Sequence, residues 1–137
     1  MTDNTIQVDV PAPSQTKPWG FHGIFDCSSC DLDKIQSADN IKAWLADLLV
    51  TIDMTAIGEP IVTLTGVGME DKEGYTAVQI IVTSSIVARF IDSTKHIYID
   101  VFSCKEFDPK KVETSITTFF GADTKINKIL LPRNAAL

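Results

Sequence analysis

The sequence predicts an α+β fold, a two-layer sandwich in which a mostly antiparallel sheet is covered on one face by two helices. Three observations carry this. Two segments repeat apolar residues at the spacing of an amphipathic helix. Six short runs rich in β-branched and aromatic residues are bounded by Gly, Pro, Asp and Ser. Their order along the chain is β-α-β-β-β-β-α-β, which a sheet with helices on one side accommodates.

Taken in order, residues 1–17 hold Pro11 and Pro13 among Asp, Asn, Ser and Thr, and are expected to be a flexible lead-in to a domain spanning 18–133, with 134–137 a tail. Trp19 to Phe25 reads as the first strand. Ser37 to Asp53 is the clearest helix. Ser37 is a good N-cap, and Ile41, Trp44, Leu45, Leu48, Leu49 and Ile52 form one apolar stripe. Ile61 to Thr65 is a short strand, followed by a polar loop with three glycines from Gly66 to Gly74. Thr76 to Val82 and Ile86 to Ile91 are strands, either antiparallel neighbours or one bent strand around Thr83-Ser84-Ser85. His96 to Phe102 alternates Ile97, Ile99 and Val101 against Tyr98, Asp100 and Phe102. Asp108 and Pro109 open a second helix as N-cap and N1, with Val112, Ile116, Phe119 and Phe120 on one face and Gly121 just past its end. Lys125 to Leu131 is the last strand. Apolar residues lie on both phases of several strands, so the uncovered sheet face is expected to meet a second copy in a homodimer.

The 137 residues are 45% hydrophobic and 22% charged, which is enough to bury a core and argues against disorder. No apolar run approaches the roughly 20 residues of a membrane helix. The start has no basic segment before an apolar core, so a cytoplasmic protein without a membrane partner is expected. The net charge of −6, with scattered Lys and Arg, opposes a nucleic-acid partner. The three cysteines are expected to be free thiols.

The chemistry is sought around Ser84, which follows an apolar strand and precedes Ser85. A serine hydroxyl needs an activating base or a strained carbonyl to act as a nucleophile. Attack on the preceding carbonyl would be an N→O acyl shift. Elimination of the ester would then leave a pyruvoyl group, a ketone able to condense with a substrate amine. A plain polar turn at Thr83-Ser84-Ser85 is the other reading, and the residues alone leave both open. Cys27 and Cys30 form a lone C-x-x-C without a second ligand pair or a thioredoxin-like context, and read as incidental. His22 and His96 are the two histidines, each a candidate base if near Ser84. The loop from Gly66 to Gly74 lacks the Lys and helix of a phosphate cradle. No metal site is expected.

Motifs in one register change the weight. Gly20-Phe21-His22, Asp26, Cys30-Asp31, Ser84, Asp100-Val101-Phe102-Ser103-Cys104 and Asp108-Pro109 follow one another as in a single pattern. From Gly20 to Arg133 the chain resembles the prokaryotic-type S-adenosylmethionine decarboxylase proenzyme. The resemblance implies cleavage between Thr83 and Ser84 and a pyruvoyl cofactor derived from Ser84. It implies Cys104 as proton donor to the decarboxylated carbon, and Thr76 as the hydroxyl that assists cleavage. It implies a small amine-acid substrate, S-adenosylmethionine, used for polyamine synthesis. The chain departs from the pattern at four places. Thr83 replaces a Glu, Ser85 a His, and Arg89 the His that removes a proton during cleavage. Ile91-Asp92-Ser93 replaces Trp-Pro-Glu, leaving Asp92 as the candidate contact to the ribose. Two alternatives therefore stand beside the first: a pyruvoyl decarboxylase of a basic amino acid, and an uncleaved binding homologue.

Overall fold

The computed structural model describes residues 3–7 and 17–136. Seven strands form one sheet: β1 (Asp3–Gln7), β2 (Gly20–Ser28), β3 (Ile61–Thr65), β4 (Gly74–Ile81), β5 (Ser84–Ile91), β6 (His96–Ser103) and β7 (Lys125–Arg133). Three helices accompany them: α1 (Leu32–Ile35), α2 (Ala38–Thr51) and α3 (Pro109–Phe120). Across the sheet the order is β1-β7-β2-β6-β5-β4-β3. Every pairing is antiparallel except β1 with β7. The α+β sandwich expected from the sequence is the fold, with two additions. The first is β1, which forms inside the stretch read as a flexible lead-in. Ile6 is its one large apolar residue, so the strand leaves no alternating pattern to read. Residues 8–16 of that stretch lie outside the described residues. The second is α1, a single turn too short to leave a periodic pattern.

The helices form where their ends are satisfied. Ser37 Oγ accepts from the Asn40 amide at 3.1 Å, and Asp108 Oδ1 accepts from the Lys110 amide at 2.9 Å, each capping a first turn. Gly121 ends α3 at φ 124°, where a β-carbon would stand 2.9 Å from the Asp31 carboxylate. The stripes of α2 and α3 then press on one sheet face. Trp44, Phe90 and Phe120 pack edge-on and tilted at centroid distances of 5.2, 5.2 and 6.3 Å. The Trp44 indole donates to Ser115 Oγ at 3.1 Å, so the polar edge of the core is paired. Lys128 also points to the helix side, buried against Glu113 at 2.8 Å.

The strands alternate as the sequence implies. Phe25, Ile86, Ala88, Phe90, Ile97, Ile99 and Val101 are fully buried under the helices. His22, Ile24, Asp26, Val78, Ile80, Val87, Tyr98, Asp100 and Phe102 belong to the opposite phase, which no helix of the described residues covers. Ile80 and Tyr98 there are 54% and 43% exposed.

Candidate active site

The site grows from the hairpin between β4 and β5. Ile81 pairs with Ser84, so the loop is the two residues Val82 and Thr83, and Ser84 and Ser85 already belong to β5. Antiparallel pairing settles the alternative of one bent strand. Two-residue hairpins favour turns with positive φ at the central positions, which β-branched side chains resist. Neither Val82 nor Thr83 adopts one. The misfit appears one residue later, where Ser84 sits at φ 151°. Among the described residues the four other non-glycine residues with positive φ lie between 54° and 59°, the ordinary left-handed well. Ser84 occupies a region essentially reserved for glycine, at a cost of about 1–3 kcal/mol.

Strand β6 supplies the surroundings. Ser84 is paired with Ser103, and the next amide, Cys104 N–H, donates to the Thr83 carbonyl at 3.0 Å. That carbonyl belongs to the bond a Ser84 hydroxyl would attack. Ser103 Oγ donates to Thr83 Oγ1 at 2.9 Å. Val82 N–H donates to the Thr55 carbonyl at 2.9 Å, tying the turn to the chain leaving α2. Gly20 lies alongside, where a β-carbon would stand 3.1 Å from the Ser103 carbonyl oxygen. Cys104 is an exposed free thiol. Next to it Lys105 Nζ donates to the Asp53 carbonyl and carboxylate, both at 2.6 Å, which holds the Asp53 carboxyl below its ordinary value. One strand over from Ser85, Phe102 lines a cavity of about 480 Å³ with Trp19, Arg133 and Asn134. Trp19 lies 5.9 Å from the Phe102 ring, and the Arg133 guanidinium lies 5.0 Å over it.

The fold thus joins Thr83, Ser84, Ser103 and Cys104, and separates the remaining candidates from them. Thr76 pairs with Arg89 in the hairpin, five positions from the turn, or about 17 Å along the strands. Thr76 Oγ1 meets Thr65 Oγ1 at 2.7 Å. The Arg89 guanidinium donates to the Phe90 carbonyl at 2.8 Å and to the Lys72 carbonyl, clamping the loop before β4. Asp92 is at the same far end, lining a cavity of about 330 Å³ with Asp71 and Glu73, and its Oδ1 is buried without a hydrogen-bond partner among the described residues. Within one chain the fold brings neither histidine beside Ser84. His96 pairs with Ile91, seven positions from Ser84. His22 lies two strands from Ser85, about 10 Å away, and its Nε2 is bonded to Asp100 Oδ1 at 2.9 Å.

Cys27 and Cys30 are buried. Burial is the main cause that raises both thiols, Cys30 to about 11. Neither is poised as a nucleophile. No group of three or more His, Cys, Asp or Glu positioned for a metal occurs among the described residues. The same residues include no helix long and apolar enough to cross a membrane. Sequence reasoning missed the side-chain role of Ser103 and the parts played by Thr55, Lys105 and Asp53. These contacts join the β4–β5 turn and the chain just past β6 to the chain leaving α2, across about 27 and 52 residues, and no local pattern announces them.

Comparison with known proteins agrees with the fold. The sequence model described as S-adenosylmethionine decarboxylase matches residues 21–131. The fold is similar to the crystal structure of the adenosylmethionine decarboxylase from Aquifex aeolicus VF5, with a TM-score of 0.70 and 23% identity over 87% of this chain and 93% of that one. A search of curated proteins returned no match.

Proposed function

The chain belongs to the S-adenosylmethionine decarboxylase family, and on that premise we propose that it is a proenzyme that cleaves itself between Thr83 and Ser84 and then decarboxylates S-adenosylmethionine. The observation that carries this reading is the strained Ser84 beside a Thr83 carbonyl already polarised by the Cys104 amide. Ser84 Oγ attacks the Thr83 carbonyl carbon. The C–N bond breaks, and the hydroxyl proton passes to the freed Ser84 nitrogen, leaving an ester. As negative charge gathers on the Thr83 oxygen, the Cys104 N–H stabilises it where it already points. Leaving the glycine-only region releases strain in the same step. Loss of the Ser84 α-proton and of Thr83 as its carboxylate leaves a dehydroalanine. Water replaces its nitrogen, ammonia departs, and a pyruvoyl group remains.

That group, once formed, supplies an electron sink for loss of carbon dioxide from a substrate amine. Cys104, the exposed thiol one residue beyond the partner of Ser84, gives a proton to the carbon that lost its carboxylate. The cavity of Trp19, Phe102 and Arg133 is the candidate seat for the rest of the substrate. The net charge of −6 favours approach of a cation such as a sulfonium or a basic amino acid.

In one chain Thr76 and Arg89 are too far from Ser84 to act on it. A homodimer formed through the uncovered sheet face, with the two sheets running in opposite senses, would carry this pair toward the turn of the other copy. A second reading, an uncleaved binding homologue, is motivated by the departures at Thr83 and, above all, Arg89. It stands where the resembling pattern has a base, and its guanidinium is committed to two backbone carbonyls.

Denatured intact mass decides between them. Two species matching residues 1–83 and 84–137, the second without a free amine at its start, support self-cleavage. A single species of 15.0 kDa overturns it.

A further inference from the structure

Ser103 is 0% exposed, yet it carries a hydroxyl on the helix-facing side of β6, where Ile97, Ile99 and Val101 are apolar. The hydroxyl is fully used. It accepts from the Lys105 amide at 2.9 Å and donates to Thr83 Oγ1 at 2.9 Å. Thr83 Oγ1 in turn has its proton free for Met54 Sδ, 3.3 Å away. Ser103 Oγ itself lies 3.7 Å from the same sulfur. Each hydroxyl has one proton to give, and the shorter contacts run from Lys105 N–H to Ser103, from Ser103 to Thr83 and from Thr83 to Met54. The main chain repeats the grip, because the Cys104 amide holds the Thr83 carbonyl. Side chain and carbonyl of Thr83 are therefore both fixed, by two consecutive residues, Ser103 at the end of β6 and Cys104 just past it.

We propose that Ser103 is a positioning residue for scission at Thr83–Ser84. It acts through Thr83. By fixing the Thr83 side chain it sets the plane of the Thr83 carbonyl and keeps the neighbouring Ser84 from relaxing out of its strained angle. An alanine at 103 would fill a similar volume with no partner to find, so the buried hydroxyl is explained by what it holds rather than by packing. The same relay accounts for Thr83. A β-branched hydroxyl residue fits between Ser103 and Met54, whereas a longer acidic side chain would bring a charge against a thioether. The inference rests on the self-cleavage proposed above.

The test follows cleavage by intact mass after cell-free synthesis of the full chain. Ser103→Ala is expected to slow cleavage about tenfold or more, as loss of alignment does. Ser103→Thr, which restores the hydroxyl, is expected to recover the wild-type rate to within about threefold. Val112→Ala removes buried volume from α3, lowers the melting temperature, and is expected to cleave at the wild-type rate. In the uncleaved Ser84→Ala background, adding Ser103→Ala is expected to speed hydrogen exchange at the Cys104 amide. An uncleaved wild type overturns the self-cleavage reading and this one with it. A wild type that cleaves, with Ser103→Ala keeping pace, overturns this one alone. So does a Ser103→Thr variant as slow as Ser103→Ala, or a Val112→Ala variant equally slow.

Discussion

At position 84 two demands compete: backbone geometry asks for glycine, and chemistry asks for a hydroxyl. Ser84→Ala removes the hydroxyl and keeps the strain of φ 151°. Ser84→Gly removes both. Neither variant is expected to cleave, and chemical denaturation should find the glycine variant more stable by about 1–3 kcal/mol. Equal stabilities would mean that the angle stores nothing. The cysteines divide as sharply. Cys104 is exposed while Cys27 and Cys30 are buried, so a thiol reagent should label one cysteine rapidly in the folded protein and three after unfolding. Burial holds the Cys30 thiol neutral up to about 11, against an ordinary 9.0. Its folded value is raised, so the stability it lends is whole below pH 9.0 and is lost as pH climbs toward 11. The denaturation midpoint should fall between about pH 9 and about pH 11, and fall less in Cys30→Ala. Cys104→Ala should leave cleavage intact and slow decarboxylation by about 100-fold or more, the scale of a lost proton donor. Ser84 and Cys104 were legible from the chain because one begins a strand and the other directly follows one, within a spaced motif. Met54 was not, because its sulfur reaches Thr83 only after α2 and β6 have packed.

Among the elements, α2 and α3 were the plainest in the sequence, since capping residues and an apolar stripe specify a helix locally. The β4–β5 turn was read as Thr83 to Ser85 and is Val82 and Thr83. Val82 is apolar and β-branched, which speaks for strand, while the register that ends β4 at Ile81 is set by pairing with β5. The buried Lys128 was read as part of a strand without its partner. Alternation along β7 places it under α3, and only the packed helix supplies Glu113 at 2.8 Å. A buried charge left alone is costly. Glu113→Ala should therefore destabilise the fold by about 3–5 kcal/mol, whereas the double variant Glu113→Leu, Lys128→Met should recover most of that loss. Thermal and urea denaturation of the two variants compare them directly. A single variant as stable as wild type would mean that Lys128 finds water after all.

For the whole molecule the uncovered sheet face is the open question, because a period-2 pattern shows that two faces exist but not what lies on the second. If a second copy covers it, light scattering should give a mass of about 30 kDa, twice the 15.0 kDa chain. Ile24→Asp, at the centre of that face, should return the protein to one chain. A wild-type mass for Ile24→Asp would place the interface elsewhere. The order of strands has a consequence for the life of the protein. Residues 1–83 would carry β1, β2, β3 and β4, and residues 84–137 would carry β5, β6 and β7. In the sheet these do not lie side by side: β2 is threaded between β7 and β6, and β7 between β1 and β2. Neither piece could build the sheet without the other. A cut that can be made only in the finished sheet must come after folding, and it turns a one-chain folding problem into a two-chain assembly. A freshly made chain would refold at a rate indifferent to dilution. The cut protein, once denatured, would have to find its other half by collision, so its recovery should fall as it is diluted. The scission would thus act as a one-way ratchet, easy to pass from the folded side and hard to retrace.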